Sequence, residues 1–450
     1  GAALSDASAM ANATAKAIDG GDDADTVHNA GEIDMSASST AESTAVSVSL
    51  TASMRGVAEG KAMADGSAEA LSQSLGIDGG AGDDTITALA QRITTKAASS
   101  ADATSVTVSG GGTVGLTTGA SVSDSASTAQ ASAIGVNAGS GNDVITTAAE
   151  IQSASKAQAD SDATTVDVTI GTGVVGSFGL ADSSATARAT SSGIEAGGGS
   201  DIITNTGNIT TGADPLDADP MAMATSGSTT VSVGIATGLA RNDAGSKSFA
   251  FAEANALGIG SGSGDDTIIN EGALSIAADP DALQPLARAK ADSATVSIGA
   301  TIGANEGTAA SDSSTIARVT TTGIDSGAGN DTITNSGAIT AGADPEMASA
   351  KMAHASASST TVDIGITLGA DLGATTAEAS AVAEALSTGI RSGAGNDLIG
   401  NTGVINVGSS SLAESSATVH EVKCSFGLSN GSAQSGAATL STAAATGIAS

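Results

Sequence analysis

The chain has 450 residues, among them 59 glycines and four phenylalanines but no tryptophan or tyrosine. Aromatic side chains supply much of the buried area of an ordinary core, so this composition excludes a thick mixed core and points to a fibrous or solenoid body. Forty-eight acidic against 15 basic residues give a formal charge of −33, which excludes phosphate-neutralising nucleic-acid binding and adsorption to anionic membranes. Cations are the natural counter-ligands of such a chain; the plainer reading is that acidity keeps it soluble.

The first recognisable element is a glycine-aspartate motif that recurs through the chain. Its fullest copy is Gly76-Ile77-Asp78-Gly79-Gly80-Ala81-Gly82-Asp83-Asp84-Thr85-Ile86-Thr87. The other copies open at Ala17, Gly135, Gly193, Gly258, Gly323 and Gly389, and a further one is cut off after Gly447-Ile448. The last aspartate of each copy is Asp25, Asp84, Asp143, Asp201, Asp266, Asp331 and Asp397, at spacings of 59, 59, 58, 65, 65 and 66 residues. A fixed period of this kind decides the architecture before any local reading. One continuous array over residues 1–450 is expected, and the chain reads as a piece of a longer protein because it opens and closes inside a repeat.

After each motif comes a short Asn-x-Gly-x-Ile segment: Asn29 to Ile33, Asn205 to Ile209, Asn270 to Leu274, Asn335 to Ile339 and Asn401 to Ile405. The second and third repeats carry Ala88-Leu89-Ala90 and Thr147-Ala148-Ala149 instead. The asparagines are expected to form an amide ladder between stacked coils. All five prolines (Pro215, Pro220, Pro280, Pro285 and Pro345) follow this segment. Proline cannot donate to a ladder, so a variable loop on one rim is predicted there.

The remainder of each repeat alternates at period two. In residues 348–368 the apolar Val362, Ile364, Ile366 and Leu368 alternate strictly with other residues, the mark of a strand. A glycine-containing turn and a second alanine-rich strand, Ala377 to Ala385, lead to the next motif. Alanine alone would suggest helix, but the period and the many Ser, Thr and Val residues predict strand. The single cysteine, Cys424, excludes an internal disulfide framework and, lying on the apolar parity, reads as buried. No run of about 18 apolar residues is present to span a bilayer.

The predicted fold is an all-β, parallel β-solenoid with about one coil per repeat of 58 to 66 residues, flattened by two long strands packed face to face. Equivalent aspartates would then stack at about 4.8 Å. Two carboxylates that close repel by roughly 1 kcal/mol in water and about 3.5 kcal/mol at an effective dielectric of 20, so the column calls for a divalent cation or protons. A solvated turn with no ion is the alternative. Winding each repeat as three short coils would separate the motifs by about 14 Å and remove that coupling.

Residues 79–87, Gly-Gly-Ala-Gly-Asp-Asp-Thr-Ile-Thr, resemble the calcium-binding nonapeptide of RTX proteins, Gly-Gly-x-Gly-x-Asp-x-apolar-x. The first copy, Gly20-Gly21-Asp22-Asp23-Ala24-Asp25, lacks the second spaced glycine. The likeness covers nine to twelve residues per repeat, and RTX arrays run in tandem whereas these copies stand far apart. It implies calcium held between stacked loops and secretion to the exterior. Carried onto this sequence, the ligand candidates are the seven aspartates above, with Asp83, Asp265, Asn142, Asn330 and Asn396 before them. The Gly-Ile and Asn-x-Gly-x-Ile cadence is similar to the β-solenoid regions of large bacterial adhesins.

Together these readings predict a non-enzymatic extracellular structural protein, stabilised by calcium and stacked on copies of itself in a filament or matrix fibre. A stalk in a giant adhesin is the rival. His28, His354 and His420 stand at unrelated repeat positions and assemble no catalytic or zinc pattern. A polysaccharide-active β-helix would need aromatic sugar platforms. An ice-binding face would need a regular threonine rank, which the pairs Thr229-Thr230 and Thr360-Thr361 do not continue.

Overall fold

A computed structural model describes residues 1–89, 91–212, 221–277, 286–342 and 352–450. All five prolines, and the rim loop predicted around them, lie outside the described residues, as does Ala90. The described chain is all-β and winds into a parallel β-solenoid with one coil per repeat. Ile77 pairs with Val136, Val136 with Ile194, Ile194 with Ile259, Ile259 with Ile324 and Ile324 with Ile390, each one repeat along.

The fourth coil illustrates the unit. A short strand Ile202–Asn205 follows the motif, and a second, Ile209–Gly212, follows the asparagine turn. Two long strands, Ala222–Ala236 and Leu239–Gly260, then run out to the far turn and back. Equivalents of Ile202–Asn205 form their own seven-stranded sheet, and all other strands join one 17-stranded sheet.

Period two puts alternate residues on opposite faces, and what faces inward changes along the coil. At the motif end each coil contributes three apolar side chains, one per side of a triangle; Ile194, Ile203 and Ile209 are wholly buried. Farther out the two long strands meet through alanines, such as Ala157 and Ala159 against Ala185, Ala187 and Ala189. Beyond these the interior is lined by hydroxyls that bond across it: Ser183 to Ser226 at 2.6 Å, Ser228 to Ser248 at 2.8 Å and Ser293 to Ser313 at 2.8 Å. Small side chains permit close approach of the two layers. A Cβ on Gly66 would lie 2.9 Å from the Thr104 carbonyl oxygen opposite.

Near the far turn the usual pattern inverts. Thr361 and Asp363 point inward and are buried, whereas Ile366 on the apolar parity is 55 % exposed. The same inversion corrects the reading of Cys424 as buried. It is exposed, because it pairs with Ile366 on the outward column while the hydroxyl parity fills the interior. The strand predicted to end at Leu368 ends at Thr367, and Leu368 opens the turn.

Candidate functional site

From the second copy on, each motif bends through two glycines at positive φ, for example Gly80 and Gly82 with φ of 102° and 131°; the first copy has Gly21 and Asp23 there. The bend carries backbone carbonyls out of ladder alignment, and side chains take their place. The Asp84 N–H donates to Oδ1 of Asp143 at 2.7 Å, and Asp143 to Asp201 at 2.8 Å. The same bond links Asp25 to Asp84, Asp201 to Asp266, Asp266 to Asp331 and Asp331 to Asp397, at 2.8 to 3.0 Å. The carboxylate thus acts as the acceptor that a displaced carbonyl would have been. The following residue returns to regular pairing: the Ile202 N–H donates to the Asp143 carbonyl at 2.8 Å.

The preceding position forms a second column with the opposite polarity, since successive N–H groups of an extended chain point to opposite sides. Here Asn142 N–H donates back to Asp83 at 2.8 Å, Ser200 to Asn142 at 2.9 Å, Asp265 to Ser200 at 3.2 Å, Asn330 to Asp265 at 2.7 Å and Asn396 to Asn330 at 3.0 Å. These side chains are exposed. Asp, Asn and Ser serve equally there because only an acceptor is required. Ser200 belongs to this column by geometry, and its place in the motif was the available signal.

The inner column differs in its second oxygen. Oδ2 of Asp25, Asp84, Asp143, Asp201, Asp266 and Asp331 is buried with no hydrogen-bond partner. Burial pushes the Asp201 carboxyl up to about 6. For Asp201, the Asp143 N–H bond pulls the other way and the Asp266 and Asp143 charges add to the rise. Burial likewise raises Asp143 and Asp266, again opposed by the N–H bond from the previous coil. Around Gly79, the point a Cβ would occupy lies 2.7 Å from Asp84 Oδ2 and 2.5 Å from the Ala138 carbonyl oxygen.

This all-oxygen environment suits a proton or a hard cation. It fits calcium in part. Buried carboxylate oxygens and a nearby carbonyl are present, but one oxygen of each aspartate is committed to a backbone N–H. Among the described residues no three His, Cys, Asp or Glu side chains gather as a metal-holding group. A six- to eight-oxygen calcium shell would have to draw on main-chain carbonyls and water.

The asparagine column is a ladder. Asn205 Nδ2 donates to Asn270, Asn270 to Asn335 and Asn335 to Asn401, each at 2.7 Å. Each also donates to the carbonyl two residues on, as Asn205 does to Gly207 at 2.8 Å, closing the turn. Thr229 and Thr360 align in a column interrupted by Ala294, while Thr230 and Thr361 are buried. No protein-family model, curated protein or solved structure matches this chain.

Proposed function

We propose that this chain is a non-enzymatic structural repeat protein of the cell exterior, forming part of a surface filament or matrix fibre. The observation that carries the reading is a residue-by-residue parallel register between neighbouring coils, held among the described residues from Ala2 to Ala449 with one irregularity between Ser53 and Gly56. Among the described residues, strand Ala2–Asp22 pairs only with 61–81, and Ser429–Ala449 only with 371–391. Each therefore leaves one edge unpaired, and an unpaired edge is a template for a further strand. Adjoining coils of a longer chain would make the body an adhesin stalk, the second reading; another copy docked end to end would make it a fibre.

The reading includes calcium as the counter-ion of the inner aspartate column, in the manner the RTX-like motif implies. Its support is the row of buried Oδ2 atoms without partners, since a column of unneutralised carboxylates at coil spacing repels itself. Asp25, Asp84, Asp143, Asp201, Asp266, Asp331 and Asp397 would supply the charge, and the exposed column of Asp83, Asn142, Asp265, Asn330 and Asn396 would supply outer oxygens. Electron microscopy of the native material tests the assembly: filaments of solenoids joined end to end favour the fibre, and isolated rods sink it. Unfolding with and without a chelator tests the ion separately.

A further inference from the structure

The outer surface near the far turn is mostly apolar along the described solenoid, its polar members being Thr164, Thr229, Thr360, Thr418 and, at the end of the valine column, His420. Val48, Val108, Val166, Val231, Val296 and Val362 stack in one outward column. Neighbouring columns carry Leu50, Ile235 and Ile366, which are 76 %, 43 % and 55 % exposed. A lattice of four columns by seven coils, running outward from Val46 through Ala52, holds no Asp, Glu, Lys or Arg, although 14 % of the chain is charged. The same strands nearer the motif are different, with outward Glu42 and Asp102 paired on adjacent coils.

The dimensions matter. The four columns from position 46 to 52 span about 20 Å of strand and seven coils about 29 Å, so the face covers roughly 570 Å². The largest apolar patch on a typical monomer is about 300–600 Å². Two such faces together bury about 1,140 Å², above the roughly 1,000 Å² that a specific interface should clear.

We propose that this face docks against the same face of a second copy of the chain, sheet upon sheet, in a side-by-side dimer. Two chains of charge −33 each repel wherever their acidic columns meet, and this is a surface on which both are uncharged at once. A foreign partner suited to so acidic a chain would be cationic and would be drawn to the acidic columns instead. Flat β-branched rows match their own kind under a two-fold axis, where one patch serves both partners, and face-packed sheets settle about 10 Å apart. The proposal uses the side of the solenoid and is independent of end-to-end stacking.

The test combines sedimentation equilibrium with crosslinking of the full chain. The wild type is expected to run at twice its 42.2 kDa, and V231E/I298E to run as a monomer with an unchanged circular dichroism spectrum, since both side chains point outward. In a V233C/C424S background a short bismaleimide should link two chains at mid-stack, which end contacts cannot do. A monomeric wild type at high micromolar concentration overturns the proposal. So does association that survives V231E/I298E without linkage at position 233, which would place the contact at the ends. A monomer that floats with phosphatidylcholine vesicles, and ceases to in V231E/I298E, overturns it in favour of a lipid surface.

Discussion

The backbone N–H of Asp143 donates to Oδ1 of Asp201 at 2.8 Å, so the aspartate of one coil completes the ladder of the coil before it. That bond needs an acceptor and not a charge. D201N keeps the acceptor and removes the negative charge, so it is expected to hold or raise the thermal midpoint at pH 7. D201A removes the acceptor and leaves a buried N–H unpaired, at a cost of about 1–3 kcal/mol. Circular dichroism melts of the two variants check this; equal losses would mean that the charge itself is required.

Acid should strengthen the metal-free protein. Asp143, Asp201 and Asp266 have folded-state values above the usual carboxylate range, Asp201 at about 6 against 3.8. Outside the column, burial also raises Asp167 and Asp363. Between those values the folded state holds more protons than the unfolded one, and stability falls as pH rises. In chelator the midpoint is expected to be highest near pH 4 and to decline by several degrees toward pH 7. Calcium added at pH 7 should recover the loss, because it replaces the protons as counter-charge. Little effect of calcium at any pH would leave protons as the neutralising species. A midpoint that falls on acidification would show that the column is stable while charged.

The first motif copy departs from the others at Asp23, which stands where the later copies have Gly82, Gly141, Gly199, Gly264, Gly329 and Gly395. Asp23 also takes a positive φ, 78° against 129° to 151° for those glycines. A residue with a Cβ is strained there by on the order of 1 kcal/mol. D23G is therefore expected to stabilise the first coil by about that amount. Hydrogen exchange of the amides in 26–29 should slow, with no change at 398–401.

The period, the one-coil winding and the strands were legible because every coil repeats the same signals at the same offsets. Asn205, Asn270, Asn335 and Asn401 announce a ladder by position alone, and the structure builds one. The direction each long strand faces was not legible near the far turn. Alternation there reads the same whether Val362 or Thr361 is inside. What decides is the opposite strand: Thr361 finds the Thr376 carbonyl at 2.7 Å and Ser311 at 2.6 Å, partners known only once the two layers are paired. Nor could sequence reveal that one oxygen of each aspartate is used by the backbone, since that follows from where the left-handed glycines send the carbonyls.

Adjacent isoleucines separate core from surface in the sheet behind the motif. Ile203 is wholly buried in the triangle with Ile194 and Ile209, while Ile202 beside it is 47 % exposed. The triangle is where the isoleucines of each coil meet; farther out the described interior is mostly alanine and hydroxyl, with Met221, Leu286 and Met352 stacked among the alanines. I203A is therefore expected to cost about 2–5 kcal/mol, and I202A less than about 1 kcal/mol. Because coils lean on their neighbours, the damage of I203A should spread along the stack. Denaturant melts followed by limited proteolysis would test it. Cleavage of I203A confined to residues near 203, with the neighbouring coils intact, would mean that coils hold independently, contrary to the continuous register seen here.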